Sequence, residues 1–210
     1  MRQRLILHLV ARDGADLGPA LAAVAEELTT MTRDPACFMG AASPFTAAVE
    51  TTAGHRDTLA DLATALGDRV DRRRSMALVG TDRVFIEPAS PTPVRYQYLM
   101  RRRHDFTHDD YLARYESIHS GFGLRTPHIE GYVQLHVDLE ASRGLGEATG
   151  LQAEPCDSMS ELHLRSVEHF LEGIIDDPEI GRLATEDEER FVDRPRSFGF
   201  AHRVVQGSRP

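Results

Sequence analysis

The sequence predicts an α+β protein built from two similar units, each with the element order β-α-β-β-α-β. Short stretches with the alternation typical of strands are separated by amphipathic helical stretches, and this order recurs in both halves. A proline-rich segment, EPASPTP at residues 87–93, separates the halves. We therefore expect one unit over residues 1–88 and a second over residues 94–210. Each unit should form an antiparallel sheet with both helices on one face.

The N-terminal elements follow from the spacing of apolar residues. Leu5–Val10 is a nearly continuous apolar run, as in a buried strand. A helix is predicted after Asp16, with Leu17, Leu21, Val24 and Leu28 facing inward, and a strand at Phe45–Thr52 follows it. A second helix has Leu59, Leu62, Ala63 and Leu66 facing inward. One or two strands are then predicted at Met76–Val79 and Val84–Ile86. Residues 33–44 are expected to form a turn and a short segment that contains alanine, phenylalanine and methionine.

The stretch from Tyr98 to His136 contains the most informative helix. Thr107 is a favourable N-cap, and Asp110 follows at the position where a capping box has an acid. The larger side chains then recur at spacings of three and four, at Tyr111, Leu112, Tyr115, Ile118, His119 and Phe122. This spacing predicts one α-helix with a single buried face, which ends at Gly121 and Gly123.

The remaining C-terminal elements complete the second unit. Residues 140–155 are polar and contain glycines, which predicts a long loop. The other predictions are strands at Val94–Met100, Gly131–Asp138, Met159–Val167 and Phe198–Val205, a helix that reaches Ile175, and a helical turn at Asp177 and Pro178.

Polar residues line one face of the predicted C-terminal strands. Arg95 and Gln97 alternate with apolar neighbours, and Glu161, His163 and Arg165 do the same on another strand. One interpretation is a polar contact between sheets, with Glu161 paired to Arg95 or Arg165, and the other is a polar substrate cavity. We favour the contact, since buried polar groups need partners.

Composition and missing motifs exclude several classes of protein. The chain of 210 residues has a net charge of −9, which argues against nucleic acids and anionic membranes as partners. Cys37 and Cys156 form no metal or redox motif, and a reduced cytoplasmic location is the simplest expectation. The N-terminal apolar run is too short for a signal peptide or membrane span. No nucleotide-binding, nucleophile-elbow or HExxH motif occurs, so we expect no cofactor and no metal.

Several motifs follow one another in the C-terminal half. They are Arg101–Arg103, Thr107 with Tyr111, Tyr115 with His119, Pro127 with Tyr132 and Val133, then Asp157, Glu161, Leu162, Ser166 and Glu168, and finally Asp187, Glu188, Phe191 and Asp193. Taken in this order, they resemble the EthD-like family. Ser158 replaces a usual glycine, and Tyr115 stands where many relatives have tryptophan. The resemblance covers roughly residues 94–205.

This resemblance implies the ferredoxin-like fold of the dimeric α/β-barrel superfamily, in which two sheets face each other. The barrel would close within this chain or across a homodimer. The missing motifs leave cofactor-free chemistry, and the resemblance implies an enzyme that acts on a small apolar or aromatic carbonyl compound, as an oxidoreductase, cyclase or isomerase. The alternative is a non-catalytic binding or accessory protein of the same fold, and the sequence leaves both open.

Candidate site residues come from the predicted central helix and the strand after it. His119 suits a general acid/base, because an imidazole titrates near neutral pH. Tyr115, or alternatively Tyr111, would donate a hydrogen bond to a carbonyl or enolate oxygen. The predicted substrate-binding residues are Tyr111, Phe122, Tyr132 and His136. The competing interpretation is an amphipathic helix whose tyrosines pack in the core and whose histidine hydrogen-bonds a backbone carbonyl.

Overall fold

The computed structural model describes residues 2–34, 43–88, 91–152 and 156–206. Its strands form one closed barrel in the order β1-β3-β2-β8-β5-β7-β6-β4. The strands are β1 (Gln3–Leu9), β2 (Thr29–Arg33), β3 (Ala47–Thr52), β4 (Met76–Ile86), β5 (Val94–Met100), β6 (Gly131–Val137), β7 (Ser158–Leu164) and β8 (Phe198–Gln206). All neighbouring strands in the barrel are antiparallel.

Each half of the chain contributes four adjacent strands to this barrel. The order is β4-β1-β3-β2 in the first half and β8-β5-β7-β6 in the second, so the two halves have the same internal topology. The β2–β8 and β4–β6 pairs join the halves. The predicted fold class is therefore confirmed, and the barrel closes within one chain. A homodimer and the domain boundaries at residues 88 and 94 stay predictions.

Helices cover the outer face of the barrel. They are α1 (Gly18–Val24), α2 (Arg56–Leu66), α3 (His108–Arg114), α4 (Ser120–Gly123), α5 (Leu139–Thr149), α6 (Val167–Asp176) and α7 (Pro178–Glu188). A π-helical turn at Tyr115–His119 separates α3 from α4, where a continuous α-helix was predicted. Within the described ranges, no helix has the length and apolar character needed to cross a membrane.

The prediction of a loop at residues 140–155 is wrong, because most of this segment is α5. Asp138 caps the helix by accepting a hydrogen bond from the Ala141 N–H at 2.9 Å, and Gly150 ends it with φ +66°. The buried face consists of Ser142, Leu145, Gly146 and Thr149. Small residues leave only a weak hydrophobic signal, which is why the sequence did not predict the helix. Residues 153–155 lie outside the described ranges.

Two strand predictions in the first half also need correction. Strand β2 was not predicted, because it is short and rich in threonine. Met76–Ile86 is one continuous strand, although the sequence suggested one or two. Residues 35–42, within the predicted segment at 33–44, and residues 89 and 90 of the linker lie outside the described ranges.

The polar strand faces point into the barrel and form ion pairs there. Glu161 accepts hydrogen bonds from Arg4 at 2.8 Å and from Arg95 at 3.1 Å, and both arginines also bind Glu50. The expected Glu161–Arg95 pair is therefore present, whereas Arg165 pairs with Glu130. Because Arg4 and Glu50 belong to the first half, this network joins the two halves. An apolar interior cluster occupies the rest of the barrel, including Ile6, Leu78, Leu99, Leu135, Met159 and Phe200.

Candidate functional site

The structure gathers the predicted site residues between the C-terminal half of the sheet and its helices. The ring of Tyr115 lies 6.0 Å from Tyr111, 5.8 Å from His119 and 5.9 Å from His136, measured between centroids. Phe122 contacts His119 at 5.5 Å on the outer side. Residues from the helix and from β6 thus form one aromatic layer.

The helix that carries this layer is fixed at both its cap and its π-helical turn. The Thr107 hydroxyl accepts a hydrogen bond from the Asp110 N–H at 3.1 Å, as the capping motif predicts. In the π-helical turn, the Tyr115 carbonyl accepts a hydrogen bond from the Gln134 amide at 3.1 Å. Single π-helical turns occur frequently at functional sites. This one could not be predicted, because no simple residue pattern marks it.

His119 forms a dyad with a carboxylate from α7. Its Nδ1 lies 3.1 Å from Oδ2 of Asp187, and Arg114 pairs with the other oxygen of that carboxylate. Burial alone would raise the pKa of Asp187, but the hydrogen bond with His119 and the charge of Arg114 hold it below its usual value. Asp187 is therefore ionised at neutral pH. Because an ionised carboxylate only accepts, Nδ1 of His119 donates this hydrogen bond, and Nε2 is the nitrogen left to exchange a proton.

A second carboxylate faces the other ring nitrogen. Oε1 of Glu188 lies 3.9 Å from Nε2 of His119, and Oε2 binds Arg194 at 3.1 Å and Tyr98 at 3.4 Å. Burial raises the pKa of Glu188, against the opposing effect of His119 and Arg194. The imidazole thus sits between two acids of different acidity. This is an arrangement that can hold and exchange a proton.

Phenol groups supply hydrogen-bond donors on the sheet side of the layer. Tyr111 shares a hydrogen bond of 2.7 Å with the Ser158 hydroxyl, and the Tyr132 hydroxyl accepts one of 2.7 Å from Gln134. Burial raises the pKa of Tyr132 to about 12 and holds that of Tyr115 well above its usual range. Burial also lowers the pKa of His136 to about 4. At neutral pH the phenols are therefore protonated and His136 is uncharged.

Sequence reasoning assigned no role to the acids that complete this site. Asp187 and Glu188 were noted only as part of a family motif. They lie on α7, and Asp187 is 68 residues from His119, so no spacing along the chain could pair them. Gln134 and Ser158 were missed for the same reason, since polar residues on a buried strand face become visible only once the helix is placed.

A separate cavity of about 310 Å³ opens at one end of the barrel. Apolar side chains of the interior form its floor, and arginines lie at its rim. Its lining includes Phe45, Met76, Leu99, Cys156, Phe198, Arg73, Arg74, Arg101 and Arg196. Burial raises the pKa of the Cys156 thiol to about 12, so it is an uncharged wall residue. None of the six predicted site residues lines this cavity. Cys37 lies outside the described ranges.

The fold resembles solved structures of related architecture. An anthrone oxidase-like protein aligns with a TM-score of 0.59 and 10% identity, over 97% of this chain and 91% of that chain. A chlorite dismutase from Candidatus Nitrospira defluvii gives 0.57 and 9%, over 97% and 90%. A heme-binding protein from Thermus thermophilus gives 0.55 and 12%, over 98% and 91%. At these identities the similarity shows the fold alone.

Sequence comparison identifies the family of the C-terminal half. Residues 103–195 match the EthD domain, whereas no curated protein matches the chain. The matched segment contains the whole aromatic layer, the His119–Asp187 dyad and Glu188. Residues 103–195 are therefore an EthD-like segment, and they lie within a chain that has the α/β-barrel fold.

Proposed function

We propose that this protein is a small-molecule enzyme that acts on an apolar or aromatic carbonyl compound without a bound cofactor. Its first step would be removal of a proton from a carbon acidified by the carbonyl group. The observation that carries the proposal is the His119–Asp187 hydrogen bond of 3.1 Å, which lies beside buried phenols in the EthD segment.

Each group of the site would have one role in this step. Nε2 of His119 takes the proton, and Asp187 holds the resulting imidazolium in place. The phenol of Tyr115 or Tyr132 donates a hydrogen bond to the oxygen that becomes an enolate. Enolate formation is the first step shared by oxidation, cyclisation and isomerisation of such compounds. In an oxidation, a CH₂ group and O₂ would give C=O and water, with O₂ as the electron acceptor.

Substrate would reach His119 from its outer side. The residue is only 8% exposed, so a neighbouring side chain must move to admit a ligand. Phe122 is the best candidate, because its ring is partly exposed and contacts His119. Ile118 in the same turn is 49% exposed. Movement of Phe122 would open an apolar entrance, which suits an apolar or aromatic substrate.

A heme does not fit the residues around His119. One similar structure is a heme-binding protein, and a histidine on a helix is a common iron ligand. In this chain the rings of Tyr115, Phe122 and Phe191 contact the imidazole, and Glu188 faces its Nε2. These groups leave no room for a heme iron at Nε2 of His119. Visible absorption of the purified protein tests the cofactor-free proposal, since a Soret or flavin band would contradict it.

Proton exchange tests the proposed reaction directly. Anthrone and simpler aryl ketones would be incubated with the protein in D₂O without oxygen, and deuterium uptake at the acidic carbon measured by NMR. For at least one compound, we expect deuterium uptake to be faster with the protein than in buffer alone. This acceleration should be lost when His119 is replaced. No acceleration by the wild-type protein across the panel would count against an enzyme of this class.

The end cavity favours a second candidate, a non-catalytic binding protein. Its apolar floor and arginine rim are complementary to an apolar molecule with an anionic group. Calorimetry with an aryl carboxylate and the matching aryl alcohol would test this. Binding of the carboxylate alone, lost in Arg74→Gln but kept in His119→Gln, would support the binding protein. Equal binding of both compounds, or none, would oppose it.

A further inference from the structure

A second group of polar side chains lies outside the aromatic layer, where the turn before β6 meets α6. His128 lies in this turn, and His169 and Glu172 lie on α6. Each offers one ligand atom, and these atoms are all within 4.8 Å of one another. No metal site was expected, because the sequence has no HExxH motif. His128 and His169 are 41 residues apart, so only the fold brings them together.

The backbone holds His128 against α6 with one ring nitrogen free. Its φ of +56° is in the left-handed region, which is uncommon for a residue other than glycine. Its Nδ1 lies 2.9 Å from the carbonyl oxygen of His169. Because a carbonyl only accepts, Nδ1 donates this hydrogen bond, and Nε2 is the nitrogen left to bind a metal ion. Metal-binding histidines are commonly oriented by such a hydrogen bond.

A glycine on α6 makes room for this imidazole. A Cβ atom at Gly173 would lie 2.8 Å from Cγ of His128, so a larger residue would displace the ring. The two imidazoles stack with centroids 4.3 Å apart and an angle of 13°, so their in-plane lone pairs do not converge in this arrangement. His128 lies over the helix face that carries the other two candidate ligands, and the His169 ring must turn out of the stack for both imidazoles to bind one ion.

His169 and Glu172 complete a donor set that suits a transition metal. They are one helical turn apart, and Nδ1 of His169 lies 3.5 Å from Oε2 of Glu172. Imidazole and carboxylate are common zinc ligands, with bonds of about 2.0–2.2 Å that bring ligand atoms to about 3.4 Å from one another. Side-chain rotation can bring the candidate ligand atoms to these distances, because Glu172 is exposed and His169 is partly exposed.

We propose that His128, His169 and Glu172 bind a divalent transition metal, with zinc as the preferred ion. Three protein ligands leave a fourth position for solvent or an exogenous ligand, as in open zinc sites. The ion would connect the turn before β6 to α6 and stabilise the folded chain by binding it preferentially. The inference is independent of the His119 site and stands if the proposed reaction is wrong.

Calorimetry on the full chain with zinc chloride tests the proposal. We expect saturable binding of one ion per chain, and visible absorption bands of tetrahedral coordination when cobalt replaces zinc. His128→Gly and His169→Gln should each weaken binding roughly 10- to 100-fold or more. Glycine also suits the left-handed backbone at residue 128, so this variant should stay folded. His55→Gln, at an exposed histidine elsewhere, is the matched control.

Gly173→Ala tests whether the position of His128 matters. The added methyl group should displace the imidazole and weaken zinc binding, while circular dichroism stays unchanged, since alanine favours helix. Absence of saturable binding would overturn the proposal. So would equal effects of His55→Gln and His128→Gly, or full affinity in Gly173→Ala.

Discussion

The two halves of the barrel have the same strand order but differ in the layer between sheet and helices. Over the N-terminal strands this layer is an apolar cluster of mainly leucine, valine and alanine, which includes Leu5, Leu7, Leu9, Leu59, Leu62 and Leu66, together with Leu145 from α5 of the second half. In the C-terminal half, the corresponding layer has an apolar part around Leu162, Leu164 and Phe170 and a polar, aromatic part with Tyr111, Tyr115, Tyr132, Gln134, His119, His136 and Ser158. The same strand order therefore supports two chemically different layers between sheet and helices.

This difference indicates where function resides. Burying a polar group costs free energy unless it is hydrogen-bonded, so an apolar layer is the simpler way to stabilise such a sheet. The N-terminal half has such an apolar layer. The C-terminal half instead keeps phenols, imidazoles and acids in defined hydrogen bonds, and it is the half that matches the EthD domain. We infer that the first half is mainly a scaffold and that the second carries the chemistry.

The largest effect should come from the network that joins the halves. Arg4→Met would leave the buried carboxylates of Glu50, Glu161 and Asp82 without one of their cations. Breaking a buried ion pair from one side typically costs about 3–5 kcal/mol, so we expect unfolding at much lower urea concentration. Both halves should unfold together, because the network spans them.

An exposed arginine provides the control for this variant. Arg182 makes two ion pairs along α7, with Glu179 and Glu186, and is exposed to solvent. Arg182→Met should leave the urea midpoint unchanged within error, since exposed pairs contribute little. Similar losses in Arg4→Met and Arg182→Met would contradict the role given to the interior network.

Truncation in the apolar layer should affect stability without affecting function. Leu59 is fully buried in the N-terminal layer, and Leu59→Ala should lower the free energy of unfolding by about 2–5 kcal/mol. Turnover per folded molecule, measured well below the melting temperature, should stay at the wild-type value. A selective loss of turnover would show that the first half takes part in the chemistry.

Acid should destabilise the barrel through its buried histidines. Burial lowers the pKa of His8 to about 4 and that of His202 to about 3. Since the unfolded chain takes up these protons near pH 6.5, stability is complete above that pH and is lost as the pH falls towards 4 and 3. His8 alone would account for about 3 kcal/mol at 1.36 kcal/mol per pKa unit. Between pH 7 and 4, the melting temperature of His8→Gln should fall less than that of the wild-type protein. An equal fall would contradict this assignment.

The fold could be predicted because its determinants are local. Apolar spacing located α2, and the Thr107 cap and the tyrosine–histidine stripe located the start and the buried face of the central helix. Helix α5 was missed because Ser142, Gly146 and Thr149 bury small side chains that carry little hydrophobic signal. The closure of the barrel within one chain could not be decided, since strand pairing across the halves leaves no local pattern.

The candidate site was predictable only in part. The helical stripe of Tyr111, Tyr115 and His119 is visible in sequence, and the structure places it in one layer with His136. The partner of His119 was expected to be a backbone carbonyl if the residue were structural, but it is the carboxylate of Asp187. A contact between elements so distant in sequence requires the tertiary fold. The catalytic roles of His119 and Tyr115 stay predictions.

The most direct test compares His119→Gln with the wild-type protein in the deuterium-exchange reaction. Glutamine can still donate a hydrogen bond to Asp187 but cannot act as a base, so melting should change little. We expect the rate of deuterium exchange to be about 10²–10⁴-fold lower with His119→Gln than with the wild-type protein, which is the usual contribution of a general base. A large drop in melting temperature with undiminished exchange would contradict the account and make His119 a structural residue of the aromatic layer.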